Sequence, residues 1–433
     1  MGPLGRTLLP TGVVCTLAWL AIGQLGPLEL QPRAFVGWFA LAFVAWAIAS
    51  RAVLGARAPL GRRWLIVLLA LALAQRLAAL PVPPSDDVYR YLWEAEVQLA
   101  GGNPYVSAPD APELADLAAT SAWRPWVNHP EWTAIYPPIA QSWHRGVASA
   151  WSDPMAMKLS FLLAEAVLVV FLLALLGQRG LSSGRVLIYA WNPLSVHAIA
   201  AHGHHDSLGV ALLVGALLAL GNGNRVSAAA LGVAAALSKG FALVALPVLL
   251  ATRRLLPWLA AALVTALAVL PFRDAGLELF GSLGRFGTEL HSNDSLHALA
   301  RWALGAEAAR LAMGVVWLLA AIWVLRRGPA DPVYRAAFLL AALLLVLPTV
   351  HPWYLLVLLP LLCIHPWWGW LALTGSSVLI WLGHQSTGGD ERWTERPLLK
   401  FVEYAPLFVW LVWVAARRAH AAPDRPASPG TPT

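Results

Sequence analysis

Charged residues are scarce in this chain. Only 12% of its 433 residues are Asp, Glu, Lys or Arg, whereas soluble domains carry about 25%. Hydrophobic residues make up 59% of the chain. The low charge excludes an ordinary soluble domain, and the apolar content predicts an all-α protein that crosses a membrane many times. At about 20 apolar residues per span, we expect a bundle of about 12–14 transmembrane helices, with 186–201 as one of the spans.

Cysteine and lysine are also rare. The two cysteines, Cys15 and Cys363, each lie inside an apolar segment, which argues against a disulfide framework and against a Cys-based zinc site. The chain has only three lysines, and one of them is Lys239. No glycine-rich nucleotide-binding loop is present, so nothing in the sequence predicts a nucleotide-linked substrate.

The net charge is +7, but the positions of the charges are more informative than their sum, and we expect no nucleic-acid partner. The arginines cluster in short connections between apolar segments, as cytoplasmic loops do. With a cytoplasmic N-terminus, the long connections 82–155, 273–307 and 385–399 lie outside the cell membrane, and the C-terminus is cytoplasmic. We therefore expect one multi-pass plasma-membrane domain over 1–418, in which 82–155 is a large external catalytic loop with short surface helices and 273–307 a second external loop. The Pro-rich end, 419–433, is predicted to be a disordered cytoplasmic tail.

Two adjacent carboxylates, Asp86 and Asp87, follow directly on the apolar segment 64–80. Behind them, apolar residues at helical spacing predict a surface helix that ends at a Gly-Gly-Asn-Pro sequence. Charge at the end of a membrane span is costly and points to function. Adjacent carboxylates in a partly desolvated cleft repel, which raises at least one pKa and makes a better base. The alternative is helix capping, with Ser85 or Asp86 at the N-cap.

A histidine-rich sequence ends another apolar segment: His202, His204, His205 and Asp206 lie within five residues. They cannot all ligate one ion in a closed tetrahedral site, so we expect no metal site here. We expect His204, His205 and Asp206 to hydrogen-bond a sugar or the catalytic loop instead. An ordinary polar end of a span remains the alternative.

The stretch 226–251 is apolar but interrupted at Ser238, Lys239 and Gly240. It predicts two short helices that enter the membrane and return, because broken helices are tolerated where they line a polar cavity. The alternative is one span from which Lys239 snorkels to the membrane surface.

Further basic and amphipathic elements accompany these segments. Arg90, Arg285 and His351, together with Lys239, could stabilise negative charge on a departing phosphate. The stretch 289–304, with Asn293 near its start, predicts an amphipathic surface helix that either caps the cavity or anchors the chain. The external loop is rich in tryptophan, which suits an interfacial belt; one or two of these residues could instead stack on a sugar.

In order along the chain, these segments read SDDVYRYLWEAEVQLAGGNPY, IYPPIAQ, WNPLSVHAIAAHGHHDSLG, ALSKGFALVALP, SNDSLHALARW and HPWYLLVLLPL. Together they resemble the GT-C superfamily of polytopic glycosyltransferases that use polyprenyl-phosphate sugars. They are most similar to the branch that contains the catalytic subunit of the GPI mannosyltransferase and bacterial polyprenol-phosphate-mannose-dependent enzymes.

The resemblance implies an inverting glycosyltransferase. Its donor would be a polyprenyl-phosphate hexose, and mannose is the hexose expected. Its acceptor would be a glycolipid or glycan at the outer face of the cytoplasmic membrane. Asp86 or Asp87 would be the catalytic base. No cofactor is implied, although a divalent cation stays open. The substrate-binding residues implied are Tyr89, Arg90, His204, His205, Asp206, Lys239, Asn293, His351 and Tyr354.

Two other functions are compatible with parts of the pattern. A lipid-sugar transporter or flippase would also contain broken helices and intramembrane charge, but it would not need an acidic pair beside a long Trp-rich loop. A glycan polymerase or ligase would share the scaffold and differ only in its acceptor.

Overall fold

The computed structural model describes residues 3–56, 59–387 and 390–420, and it is built almost entirely from helices. The helices up to residue 221 are α1 (Pro3–Ile22), α2 (Pro32–Gly55), α3 (Arg62–Ala79), α4 (Asp86–Leu99), α5 (Ala115–Thr120), α6 (Pro138–Ala150), α7 (Pro154–Gln178), α8 (Leu187–Ala190), α9 (Pro193–Ser195) and α10 (Asp206–Gly221). Those that follow are α11 (Arg225–Ala236), α12 (Leu246–Leu249), α13 (Leu255–Val269), α14 (Gly281–Glu289), α15 (Leu296–Leu304), α16 (Ala306–Arg327), α17 (Pro332–Val346), α18 (Leu359–Leu362), α19 (Trp368–Ser376) and α20 (Pro397–His420). One antiparallel hairpin pairs β1 (His384–Thr387) with β2 (Asp390–Trp393).

The helices confirm an all-α polytopic membrane protein. Within the described residues, six helical segments are long and apolar enough to cross a membrane. They are Leu4–Ile22, Pro32–Gly55, Pro154–Gln178, Leu255–Glu289, Ala306–Arg327 and Pro397–Arg417. Five shorter apolar segments accompany them: Asp206–Gly221, Arg225–Ala236, Gly240–Leu249, Pro332–Val346 and Trp368–Gly383. The total of about 12–14 spans, the domain limits and the sidedness of the loops remain predictions.

The predicted span 186–201 is broken rather than continuous. The short helix α8 stops at Ala190, and the Asn192 side chain caps α9 by accepting from the backbone N–H of Leu194 at 2.9 Å. Pro193, which cannot continue a helix from the preceding turn, occupies the first position of α9. A six-residue π-helix, Val196–Ala201, follows, a form that occurs mostly at functional sites.

The predicted interruption at 238–240 is confirmed. α11 ends at Ala236, Lys239 has an extended backbone, and a 3₁₀ segment runs from Gly240 to Ala245. Because of this break Lys239 is not part of a helix, and a helical backbone does not set the direction of its side chain. The last helix, α20, continues to His420, two residues into the predicted tail; residues 421–433 lie outside the described residues.

A buried ion pair joins two apolar helices. The Arg76 guanidinium on α3 contacts both carboxylate oxygens of Glu165 on α7, at 3.0 and 2.8 Å. Tyr189 donates to the same carboxylate at 3.0 Å, and Ser195 accepts from Arg76 at 3.1 Å. Burying two charges is costly unless each finds a partner and further hydrogen bonds, as here. The pair fixes the broken segment around Ser195 against α3 and α7.

The connection between α3 and α4 is held from two sides. Lys158, in the first part of α7 and only 2% exposed, donates to the carbonyls of Leu80 and Val82. The backbone N–H of Ser85 donates to the carbonyl of His202 at 3.0 Å. Gly203 follows with φ +75°, and a Cβ there would lie 2.9 Å from the Val88 side chain. The start of α4 therefore packs directly on the histidine-rich segment.

Candidate active site

Asp86 and Asp87 occupy the first turn of α4. The Asn128 amide donates to Asp86 at 3.0 Å and to Asp87 at 3.3 Å, so one side chain bridges the two carboxylates. Ser85 makes no capping hydrogen bond, although Asp86 accepts from the Asp87 backbone N–H at 3.0 Å. Asp86 therefore helps to cap the first turn of α4. Asn128, about 40 positions away in sequence, holds the other oxygen of Asp86 and one oxygen of Asp87.

Arg90 lies beneath this pair and positions Asn128. Its Nε donates to the Asn128 carbonyl oxygen at 3.1 Å, and its terminal nitrogens donate to Glu94 and to the carbonyls of His129 and Trp132. The side chain is only 3% exposed. Because all three of its nitrogens already donate to protein atoms, Arg90 supports the aspartates instead of facing a ligand.

A column of aromatic rings extends from Asp87. The Nδ1 atom of His204 lies 3.3 Å from the Asp87 carboxylate. The His204 ring stacks on Trp353 at 4.0 Å, and Trp353 stacks on His351 at 4.5 Å. Tyr354 meets His351 edge-on at 5.2 Å. Residues far apart in sequence therefore line one side of the carboxylate pair.

Lys239 completes the arrangement. Its ammonium group donates to Asp206 at 3.0 Å, with the Asp206 side chain 1% exposed and that of Lys239 12% exposed. The ammonium also lies 5.6 Å from the centre of the Tyr354 ring. A Cβ on Gly209 would come within 2.8 Å of the Lys239 Cβ, so this glycine permits the close approach. Lys239 therefore points into the protein instead of snorkelling to a membrane surface. We call Asp86, Asp87, Asn128, His204, Asp206 and Lys239 the aspartate cluster.

The two aspartates differ in electrostatic character. Although part of Asp86 reaches solvent, the protein around its carboxylate and then the charge of Asp87 raise its pKa, which Asn128 only partly offsets. Burial would also raise the pKa of Asp87, but hydrogen bonds from His204 and Tyr136 and the charge of Lys239 outweigh it and lower that pKa. Asp87 is therefore held as a carboxylate, while Asp86 is the more basic of the two.

A buried polar layer lies behind Asp87. The Tyr136 ring contacts the His205 ring at 4.9 Å, and Tyr91 stacks on His144 at 4.3 Å. Both histidines are fully buried, and within the described part of the chain none of their ring nitrogens has a hydrogen-bond partner. Buried polar atoms of this kind are normally satisfied by water or ligand. The predicted residue His205 is therefore part of a buried polar layer behind Asp87.

The remaining predicted residues lie elsewhere. Tyr89 is on the surface of α4 against Trp123 and Trp126. Arg285, on α14, lies over the Trp132 ring at 4.8 Å. The His202 ring lies closest to His197, at 4.3 Å, and 6.1 Å from the His204 ring.

Asn293 belongs to a separate group, the second polar cluster, formed by Asn293, Asp294, Glu395, Lys400, Glu403 and Tyr404. Its amide donates to Glu403 at 2.7 Å, and Tyr404 donates to its carbonyl at 2.7 Å. The neighbouring Ser292 pairs with Thr349 as a parallel bridge. That bridge connects the second polar cluster to the segment that carries His351.

Sequence reasoning missed four residues of the site: Asn128, Tyr136, Lys158 and Trp353. Tyr136 and Trp353 lie inside the motifs IYPPIAQ and HPWYLLVLLPL, so their positions were marked without a role. Asn128 and Lys158 have no local signal, since their importance depends on contacts with distant residues.

The described residues contain no group of three or more His, Cys, Asp or Glu side chains that could hold a metal ion. The expectation that no cofactor is needed, with a divalent cation left open, stays a prediction.

Acidic and basic side chains gathered beside broken apolar helices occur in membrane enzymes and in transporters alike. Comparison with known families decides between these classes. Residues 7–253, more than half of the chain, match the model of the MptA_B family, described as alpha-(1->6)-mannopyranosyltransferase, N-terminal domain. The chain belongs to this family and is a mannosyltransferase, which confirms the resemblance seen in its sequence. No curated protein matches the chain.

The family match covers the whole aspartate cluster. Asp86, Asp87, Asp206 and Lys239 lie within residues 7–253, whereas His351 and Tyr354 lie beyond them. The aromatic column that faces Asp87 is therefore completed by a part of the chain outside the matched domain.

Proposed function

We propose that the protein transfers mannose, with inversion, from a polyprenyl-phosphate carrier to a hydroxyl group of a glycolipid or glycan at the outer face of the cytoplasmic membrane. The observation that carries the proposal is the asymmetric aspartate cluster. It places a solvent-reaching carboxylate of raised pKa, Asp86, next to one of lowered pKa, Asp87, which feels the charge of the partly buried Lys239. A base and a cation are the two groups that transfer from a sugar phosphate requires.

Asp86 is the proposed base. In the reaction, an acceptor oxygen forms a bond to C1 of mannose, and the bond between C1 and the phosphate oxygen breaks. The acceptor proton passes to the Asp86 carboxylate, and the electron pair leaves with the phosphate. The raised pKa of Asp86 favours proton uptake, and its exposure lets a large acceptor reach it.

Lys239 and its neighbours are proposed to bind the departing phosphate. Negative charge on that group grows in the transition state, and a fixed ammonium in a partly buried site stabilises it strongly. Asp206 holds the ammonium in place at 3.0 Å. The phenol of Tyr354 and the ring of His351 lie on the same side and can donate to phosphate oxygens. Asp87 then has a positioning role, because it orients His204.

The α-(1→6) linkage in the family's description narrows the choice of acceptor atom and donor anomer. An α-(1→6) product requires the acceptor oxygen to be the primary hydroxyl on C6 of a hexose, and we propose a mannoside. With inversion at C1, an α-linked product also requires a β-linked mannosyl phosphate as donor. A flippase would move such a donor without needing Asp86, and a polymerase would differ from this proposal only in a longer acceptor.

The test is transfer by membranes that carry the full chain, supplied with labelled polyprenyl-phosphate sugars and a mannoside acceptor. We expect label from the mannose donor only, and we expect Asp86→Asn to lower kcat by about 10³-fold while donor binding is kept. Asp87→Asn should lower kcat by about 10- to 100-fold, since it disturbs His204 without removing the base. Asp110→Asn, an exposed aspartate of the same 82–155 segment, is the matched control.

Full activity of Asp86→Asn would remove the base from the mechanism. Transfer from a sugar nucleotide, or carrier movement without transfer, would overturn the proposed donor and the proposed reaction.

A further inference from the structure

Three aromatic side chains form a surface beside the aspartates: Tyr89 on α4 and Trp123 and Trp126 on the loop that follows α5. We propose that this aromatic surface binds the mannoside chain of the acceptor, so that its terminal hydroxyl reaches Asp86. The inference rests on the proposed function and adds to it the acceptor subsite and its ligand class.

The geometry of the three rings suits a sugar. The Tyr89 ring lies 6.2 Å from Trp123 at an interplanar angle of 24°, and 6.0 Å from Trp126 at 34°. Trp126 is 64% exposed, so much of its indole is accessible to solvent. A pyranose ring carries C–H groups on one face, and these pack on an indole or phenol ring while its hydroxyls stay hydrated. Trp and Tyr supply such contact at low entropic cost because they are rigid.

The aromatic surface adjoins the proposed base. Asp86 and Tyr89 are three residues apart on α4, so they share one face of the helix, about one turn apart. On the facing loop, Trp126 contacts Tyr89, and Asn128, two residues later, contacts Asp86 at 3.0 Å. The aromatic rings and the carboxylate thus form one continuous strip, and a sugar on the rings would place its neighbour at Asp86.

The loop that presents the two tryptophans is fixed by its own hydrogen bonds. The Ser121 hydroxyl accepts from the backbone N–H of Trp123 at 3.1 Å and donates to Glu96 on α4 at 2.6 Å. The Trp123 indole N–H donates to Ser152 at 3.2 Å, and Arg124 donates to the carbonyl of Pro109 at 2.7 Å. A surface held in this way loses little conformational entropy when a ligand binds.

The position of the strip favours the acceptor over the donor. Lys239 and its partners are the groups proposed to bind the donor phosphate, and the charge of Lys239 affects Asp87. The aromatic rings instead lie on the side of Asp86, next to Asn128. A sugar chain approaching from solvent therefore meets the exposed carboxylate first. Lipid anchoring is the other common use of exposed tryptophan, and it would require no contact with the catalytic residues.

The experiment measures steady-state kinetics of the full-length enzyme with polyprenyl-phosphate mannose and two acceptors, octyl α-mannoside and octyl α-(1→6)-mannotrioside. For Trp126→Ala we expect the KM for the mannotrioside to rise about tenfold, with the KM for the donor and kcat within about twofold. The wild-type preference for the longer acceptor should shrink to a similar extent. Tyr89→Ala should act in the same direction, and Tyr89→Phe should restore most of the affinity because the ring suffices.

Trp151→Ala and Trp302→Ala are the matched controls, since these tryptophans are 52% and 89% exposed and neither contacts Tyr89 in the described structure. An unchanged acceptor KM in Trp126→Ala, or an equal rise in the controls, would overturn the aromatic surface as a subsite. A general loss of membrane yield in Trp126→Ala with normal acceptor KM would also overturn it and assign the residue to anchoring. If wild-type enzyme uses a different donor, the proposed function fails; if it uses this donor and only the KM effect is missing, the subsite alone fails.

Discussion

The aspartate cluster and the second polar cluster use charge in different ways. In the second polar cluster, Lys400 bonds Asp294 at 2.9 Å and Glu395 at 2.8 Å, and Glu403 accepts from Asn293. In the aspartate cluster, Asp86 reaches solvent, and the ring nitrogens of the neighbouring His144 and His205 have no partner among the described residues. A set of charges that satisfy one another stabilises a fold, whereas open donors and acceptors indicate a place for a ligand.

Lys239 and Lys400, one from each cluster, give the sharpest test of this difference. Lys239→Ala removes the cation proposed to stabilise the departing phosphate, and we expect kcat/KM for the donor to fall by about 10²- to 10³-fold. Lys400→Ala is the matched change in the second polar cluster; it should lower thermal stability and leave kcat/KM within about threefold. Donor-dependent rates and thermal melts of both variants provide the measurement. Comparable kinetic losses in the two would erase the distinction between the clusters.

A smaller effect is expected when Asn293 is replaced. Asn293→Ala leaves the buried Glu403 carboxylate without its amide partner, which should cost about 2–3 kcal/mol of stability with kcat nearly unchanged. Asn293 also has a positive φ of 52°, so part of the cost of Asn293→Ala comes from the backbone. Asn293→Gly isolates the loss of the amide side chain, because glycine tolerates this backbone conformation. Denaturation of both variants measures the cost. A kinetic defect without a stability loss would return Asn293 to the substrate site, where sequence reasoning placed it.

The smallest effect concerns pH. In the proposed mechanism Asp86 must be a carboxylate, so we expect activity above the raised pKa of that group and its loss as the pH falls through it. Asn128→Ala removes a hydrogen bond that favours the carboxylate, which should raise the pKa further and move the acid limb of kcat/KM upward by about half to one pH unit. At higher pH the rates should converge. Asn222→Ala is the control, because the Asn222 amide oxygen accepts from Gln178 and not from the aspartate cluster. If the acid limb does not move in Asn128→Ala, Asp86 is not the titrating base.

Local patterns predicted the helices well. Apolar spacing and the Gly-Gly-Asn-Pro stop defined α4, which runs from Asp86 to Leu99, and the amphipathic stretch near 296 is the helix α15. The interruption at Lys239 was visible because a polar residue and a glycine break an apolar run. These signals lie within one turn or one helix face, so a single sequence contains them.

Contacts between distant segments were beyond the reach of the sequence. Nothing near Asn128 indicates that it bridges two aspartates, and nothing in an apolar run reveals that Arg76 meets Glu165 across two helices. The span 186–201 was wrong for a related reason: hydropathy outweighed the Asn-Pro pair at 192–193, which caps and restarts the helix. Pairing partners depend on tertiary packing, and composition does not encode them.

The lysine that holds the connection before α4 links the segment that carries the proposed base to a helix long enough to cross a membrane. Lys158 is the fifth residue of α7, whose 25 residues extend about 37 Å at 1.5 Å each, more than the roughly 30 Å of a hydrocarbon core. Such a helix adapts to a thinner or thicker bilayer by tilting. Because its ammonium group donates to the carbonyls of Leu80 and Val82, we expect a change of tilt to shift the connection that leads into α4. We therefore expect the acyl-chain length of the host membrane to tune the speed of mannose transfer.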